Sequence, residues 1–150
     1  MNSSTSEIEK IRLLREGEFT GTLYFEFAPG GFSGNHWRED SVYLSDEVFE
    51  LIEPVFVKTI PGFGRYSPNE ISRSDWELII NEFQALKETL VRASALSELR
   101  EKMWFYGKYE TLFFDRFDES RFAVLKLITD LNAWLRVQLT THEKVSVLGI

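Results

Sequence analysis

Two histidines, His36 and His142, are the only imidazoles in the chain, and there is no cysteine. A zinc site needs further nitrogen or sulfur ligands. Neither histidine has such a donor at ligand spacing, so both read as solvated side chains and no metal is expected. Ser33 sits between glycines in G-F-S-G, which is a turn and not the G-x-S-x-G elbow of a nucleophilic serine. Gly62-Phe63-Gly64 is too short for a dinucleotide loop, and no phosphate-cradling loop is present. Lys108 between Tyr106 and Tyr109 is one basic residue, not a nucleic-acid patch. Two carboxylate pairs remain, Glu39-Asp40 and Asp46-Glu47. Such pairs serve as acid and base or hold Mg²⁺ when geometry converges them. With His36 close to Glu39 and Asp40, and Tyr43 or Trp37 shaping a pocket, they define one alternative, a small carboxylate- and His-dependent enzyme. A solvated acidic face is the simpler reading. No enzyme activity and no cofactor are expected.

The distribution of charge carries more. The net charge is −7. Glu39, Asp40, Asp46, Glu47, Glu50 and Glu53 lie in one segment without Lys or Arg, which holds −6 of that total. Ser45 caps a short helix predicted over 46–52, with Asp46 and Glu47 in the first turn where the dipole favours acids. Asp46, Glu50 and Glu53 fall at three-and-four spacing and line one face, while Val48, Phe49 and Ile52 turn to the core. Like charges so spaced cost a few tenths of a kcal/mol. The dipole accounts for Asp46 and Glu47 but not for Glu50 or Glu53. A docking ridge for a basic partner accounts for all of them; solubility alone is the plainer alternative. On the ridge reading, reversing Glu50 and Glu53 to Lys leaves the fold intact and weakens binding. A second patch, from Tyr109 to Glu119, mixes aromatics with Asp115, Asp118 and Glu119, with Phe113 and Phe117 expected in the core. An acidic surface repels phosphates, so no nucleic-acid partner is expected.

These side chains need a scaffold. A short helix is predicted over 7–14. A strand follows over 19–27, with Phe19, Gly21, Leu23, Phe25 and Phe27 on one face and Thr20, Thr22, Tyr24 and Glu26 on the other. A turn-rich loop over 28–34 leads to a strand near 40–44. Pro54 is expected to end the acidic helix, with a short strand over 55–57 and a loop over 60–73. The S-x-x-E pattern at Ser74 opens a long helix to about Trp104, its buried face running from Ile79 to Met103, with Ser94 and Ser97 marking a bend within it. A second long helix starts near Asp118, and residues 144–150 read as a final strand. The fold class is α+β: a small sheet, including N-terminal and C-terminal strands, packed against two long helices.

The chain has 150 residues, which fits one domain over 1–150. Thirteen Phe, five Tyr and four Trp fill a core and leave aromatics for a contact surface. Without cysteine, disulfides and thiolate chemistry are excluded. The first residues lack the basic and apolar regions of a signal peptide, and no apolar run approaches the ~20 residues that span a bilayer. A cytoplasmic protein with no membrane association is the expectation.

Three stretches, His36 to Phe56, Ile71 to Ile80 with Trp76, and Val147 to Ile150, resemble bacterial immunity proteins of polymorphic toxins, including those of contact-dependent growth inhibition systems. The resemblance implies a small, acidic, cytoplasmic protein. It would bind its cognate toxin's C-terminal domain, commonly a basic nuclease, and block the active site or substrate surface. It implies a role and no mapped site. Read without it, the same surface suits a regulatory interaction domain with no toxin partner.

Overall fold

The computed structural model describes residues 3–19, 21 and 23–150. Four strands, β1 (Tyr24–Pro29), β2 (Val42–Ser45), β3 (Asn69–Ser72) and β4 (Lys144–Gly149), form one antiparallel sheet. Their order is β2-β1-β4-β3. The terminal alternation of Val145 and Val147 with Ser146 and Leu148 thus places β4 in the middle of the sheet. Three long helices, α2 (Asp46–Thr59), α3 (Arg73–Arg92) and α5 (Phe117–Gln138), join α1 (Ser3–Glu9) and α4 (Lys108–Asp115) in an α+β fold, as expected.

Alternation along the strands sorts their side chains. Phe25 and Phe27 of β1 face the helices, with Val42, Leu44, Ile71, Val145 and Val147 from the other strands. Phe25 stacks on Phe49 at 3.9 Å between ring centroids. Phe56 meets Phe83 and Trp76 edge-on. The Trp76 indole N–H donates to the Val145 carbonyl at 3.0 Å, which ties α3 to β4. Among the described residues no long helix lies over the opposite face of the sheet, yet every residue of β1 is buried. Loops cover that face, among them the β1–β2 connection.

Several elements depart from the sequence expectation, each for a physical reason. The first helix ends at Glu9 and does not reach Leu14. Leu14 instead exchanges both backbone hydrogen bonds with Tyr43, at 2.9 Å each, and covers part of the outer edge of β2. β1 begins at Tyr24 and not at Phe19, and Leu23 is 65 % exposed; Thr20 and Thr22 of the expected strand lie outside the described residues. Pro54 does not end α2. A helix-interior proline costs about 3 kcal/mol, and burial of Val55 and Phe56 on the core face returns an equal or greater amount, so the strand expected over 55–57 is helix. β3 lies inside the expected loop. Asn69 organises it: its amide nitrogen donates to the carbonyls of Gly64, Ser67 and Val147, and its oxygen accepts from the Gly64 N–H.

Ser72, not Ser74, caps α3, accepting from the Asp75 N–H at 3.2 Å. The helix stops at Arg92, well before Trp104. There the Glu98 carboxylate takes the N–H groups of Ser94 and Ala95 and folds the chain into a short 3₁₀ turn, Leu96–Glu98. Ala93, Leu96, Leu99 and Met103 remain buried, so the apolar spacing was right although the helix was not continuous. Arg121 of α5 donates to the carbonyls of Leu90, Val91 and Ala93, which satisfies the end of α3.

Candidate functional site: a braced loop and its acidic surroundings

Glu26 alternates with Phe25 and Phe27 and so points away from the helices. The sequence pattern places it with Thr20, Thr22 and Tyr24 on the face opposite Phe25 and Phe27. It is fully buried, because the β1–β2 connection, residues 30–41, folds back over that face. A buried carboxylate must be satisfied, and this one is. It accepts the Trp37 N–H at 2.8 Å, the Arg38 N–H at 3.0 Å and the Ser41 hydroxyl at 2.7 Å. The Tyr43 hydroxyl lies 3.4 Å from the same carboxylate and donates its proton to the Arg38 carbonyl. Burial, then the charge of Glu26, pushes the Tyr43 pKa well above the ordinary tyrosine value.

Further bonds brace the loop from outside. The Arg38 guanidinium donates to the Pro29 carbonyl at 3.0 Å, Ser146 of β4 donates to the Gly30 carbonyl at 2.8 Å, and the Phe32 N–H donates to Glu70 of β3 at 2.7 Å. Held in this frame, Trp37 has φ = +59°, among the described residues the only non-glycine residue with a positive φ. That conformation costs a bulky residue of order 1–3 kcal/mol. The indole stacks on Tyr43 and meets Phe19 and Tyr24 edge-on. It still leaves Trp37 42 % exposed.

His36 places Nδ1 3.9 Å from Glu26 and its ring 5.2 Å from Phe32, and its side chain is exposed. The acid beneath it is therefore Glu26, not Glu39 or Asp40. Glu26 is already engaged by its loop donors, and no groups of His, Asp and Glu with metal-site geometry occur among the described residues. Glu39 and Asp40 are exposed on the same loop as Trp37, and Asp40 pairs with Arg38.

The acidic helix face exists, but it is occupied. Asp46, Glu50 and Glu53 do share one side of α2, and that side grips Arg65 from the α2–β3 loop. The Arg65 Nε donates to both Glu53 oxygens at 2.9 and 3.0 Å and Nη1 donates to Asp46 at 2.7 Å, while Nη2 stands 3.7 Å from Glu50. The guanidinium also lies over the Phe25 ring at 5.1 Å. Glu53 is 4 % exposed, so it belongs to the interior, and reversing it to Lys would not leave the fold intact. Burial raises the Glu50 pKa, reinforced by Asp46, Glu53 and Glu47 against the opposing pull of Arg65. Glu47 shares Lys108 with Glu7, at 2.9 and 3.0 Å. Burial works against the Lys108 charge, but the two carboxylates outweigh it and raise its pKa. Neither cation was legible as a partner, because each comes from a segment distant in sequence.

The second expected patch is on the surface at the α4–α5 corner. Phe113 is buried and Phe117 half-buried, as expected, while Phe114 is 78 % exposed. Asp118 pairs with Arg121 at 3.0 Å and Glu119 with Arg116; Asp115 is exposed. The structure thus separates the candidate acids into three groups: Glu39 and Asp40 beside Trp37, the α2 acids around Arg65 and Lys108, and Asp115, Asp118 and Glu119 at the corner.

Among the described residues no helix is long and apolar enough to cross a membrane. Comparisons with protein-family models, curated proteins and solved structures found no match to this chain.

Proposed function

We propose that this chain is an immunity protein: it binds the C-terminal domain of a cognate toxin, a basic protein, and neutralises it in the cytoplasm by covering its active site or substrate surface. It acts by occupation and not by turnover. The observation that carries this reading is Trp37, a partly exposed tryptophan held at φ = +59° by a buried carboxylate. Backbone strain kept in place by surrounding structure points to function. Tryptophan is the residue most enriched among binding hot spots, and a loop fixed before encounter loses little entropy on binding. Glu39 and Asp40 are exposed on the same loop as Trp37 and match a basic partner, whereas the acids of α2 in that segment are engaged by Arg65 and Lys108. The resemblance of residues 36–56 to immunity proteins covers this same loop.

The test is co-expression with the toxin-like domain encoded beside the gene, followed by co-purification. The chain is expected to restore growth and to form a complex whose association slows steeply with added salt. Trp37→Gly, which suits the backbone better than tryptophan, is expected to fold and to lose protection. Absence of both rescue and complex would refute the proposal.

A further inference from the structure

The turn before β3 presents a second aromatic to water: Tyr66 is 87 % exposed. A single exposed aromatic is ordinary on a protein surface. This one differs in the backbone that carries it, which is fixed on both sides. The Ser67 N–H donates to the Gly64 carbonyl at 3.2 Å and closes a turn over Arg65 and Tyr66. Asn69 ties that turn to β4 through the Val147 carbonyl, at 3.2 Å. On the other side of Tyr66, the Arg65 guanidinium is held by Asp46 and Glu53 of α2. The Arg65 carbonyl lies so close to Gly149 that a Cβ there would stand 2.1 Å from it. Tyr66 is therefore a large side chain on a rigid support, and its backbone has little order left to lose when a partner covers it.

The turn adjoins the surface that carries Trp37. The Tyr24 ring meets the Trp37 indole at 6.0 Å between centroids. Tyr24 and Ile150 exchange both backbone hydrogen bonds at 2.9 Å, and Ile150 follows Gly149, against which Arg65 rests. From Tyr24 across the end of β4 to the turn is two strand spacings, about 10 Å. Phe19 and Ile150, both half-buried, pack on Tyr24 and its neighbours in that interval. A specific interface buries about 800 Å² on each partner, a patch roughly 30 Å across, which is wide enough to include both aromatics.

Charge selects the kind of partner. Asp46, Glu50 and Glu53 share the one guanidinium of Arg65, so three carboxylates meet one cation beside Tyr66. Glu50 is the least engaged of the three. It stands 3.7 Å from Nη2, beyond hydrogen-bond reach, and its side chain is 31 % exposed. Acids thus remain in excess at this turn, as Glu39 and Asp40 are exposed on the Trp37 loop. A basic surface is complementary to both, whereas a second copy of this chain, at −7, is repelled.

We infer that Tyr66 is a second anchor of the toxin-binding surface, its ring entering a pocket of the basic partner while Glu50 faces a partner Lys or Arg beside it. The inference rests on the immunity reading and adds to it a contact on a separate loop.

The test measures binding of the full chain to the toxin-like domain encoded beside the gene, by surface plasmon resonance. Tyr66→Ala is expected to raise Kd about tenfold or more, chiefly through faster dissociation. Its melting temperature should match that of the unaltered chain, because the ring is already in water. Phe114→Ala removes a ring nearly as exposed, at 78 %, from the α4–α5 corner and is expected to leave Kd unchanged. Nitration by tetranitromethane supplies a footprint: Tyr66 should react in the free chain and be shielded in the complex. A complex that Trp37→Gly abolishes, but in which Tyr66→Ala leaves Kd within twofold or Tyr66 is nitrated as in the free chain, would overturn this inference and leave the immunity reading standing. An equal loss from Phe114→Ala would overturn it as well. If the unaltered chain forms no complex, the immunity reading fails and the inference falls with it.

Discussion

Glu26 and Trp37 are coupled through one hydrogen bond, and each can be probed through the other. Glu26→Gln keeps the shape but sets an amide where backbone N–H groups converge. Hydrogen bonds to a buried charge and the groups left unpaired put its cost at about 3 kcal/mol. It should also free Trp37: the near-ultraviolet dichroism of the Phe19–Tyr24–Trp37–Tyr43 cluster should weaken while helix content holds. An unaltered aromatic signal would show that the loop does not depend on this carboxylate. The strain has its own signature. Trp37→Gly removes the positive-φ penalty that Trp37→Ala retains, so the glycine variant should be the more stable of the two by about 1 kcal/mol. Glu50 illustrates the opposite sign of charge linkage from most carboxylates. Its pKa is raised in the folded state above the ordinary 4.5, so its ionisation opposes folding. The penalty is absent below the unfolded value and appears as pH rises through the raised one. Glu50→Gln is expected to raise the melting temperature at neutral pH and to lose that advantage below pH 4.5, where Glu50 is neutral in both states. A gain independent of pH would show that packing and not charge is responsible.

At the scale of elements, the loop between α2 and β3 is held by what its arginine reaches. Arg65→Met should cost about 3–5 kcal/mol, because it leaves Glu53 buried without a counter-charge, and adding Glu53→Leu should recover much of the loss. Denaturant unfolding of the two variants checks this; equal destabilisation in both would place the loop's anchor elsewhere, at Asn69. The pairing also explains what the sequence conveyed and what it did not. Spacing located α2, α3, α5, β4 and the part of β1 from Tyr24 to Phe27, because each has a period set by burial. It also put Asp46, Glu50 and Glu53 on one face. It did not tell where that face points, since Arg65 arrives from a stretch read as featureless loop. The same limit hid the site: Glu26 sits on the polar side of β1, and only the return of residues 30–41 makes that side an interior. Periodicity reports which residues share a face, whereas the cover over a face is a long-range property. Local rules failed in the other direction at Pro54, where core burial overrode helix propensity; at Ser94 the expected bend is a full break, where the Glu98 carboxylate halts a helix that the apolar spacing would have continued.

At the scale of the whole molecule, the sheet closes through partners separated by most of the chain: Phe25 opposite Gly149 and Pro29 opposite Val145. β4 pairs on both edges and its side chains are buried from Val145 to Leu148. Amides of β1 and β4 are therefore expected to exchange with deuterium most slowly and together, at the global unfolding limit, with those of α1 and the outer edge of β3 exchanging faster. If β4 exchanged at a lower free energy than β1, closure of the sheet would not be the cooperative event. The central position of β4 has a further consequence during synthesis. A ribosome delivers β1, β2 and β3 first, and until residues 144–149 have been made, β1 and β3 have no strand between them. A nascent chain thus carries two open sheet edges, the backbone groups of β1 and β3 that β4 pairs in the finished fold. That stage of its life, before the last strand arrives, is when aggregation and chaperone capture compete with folding.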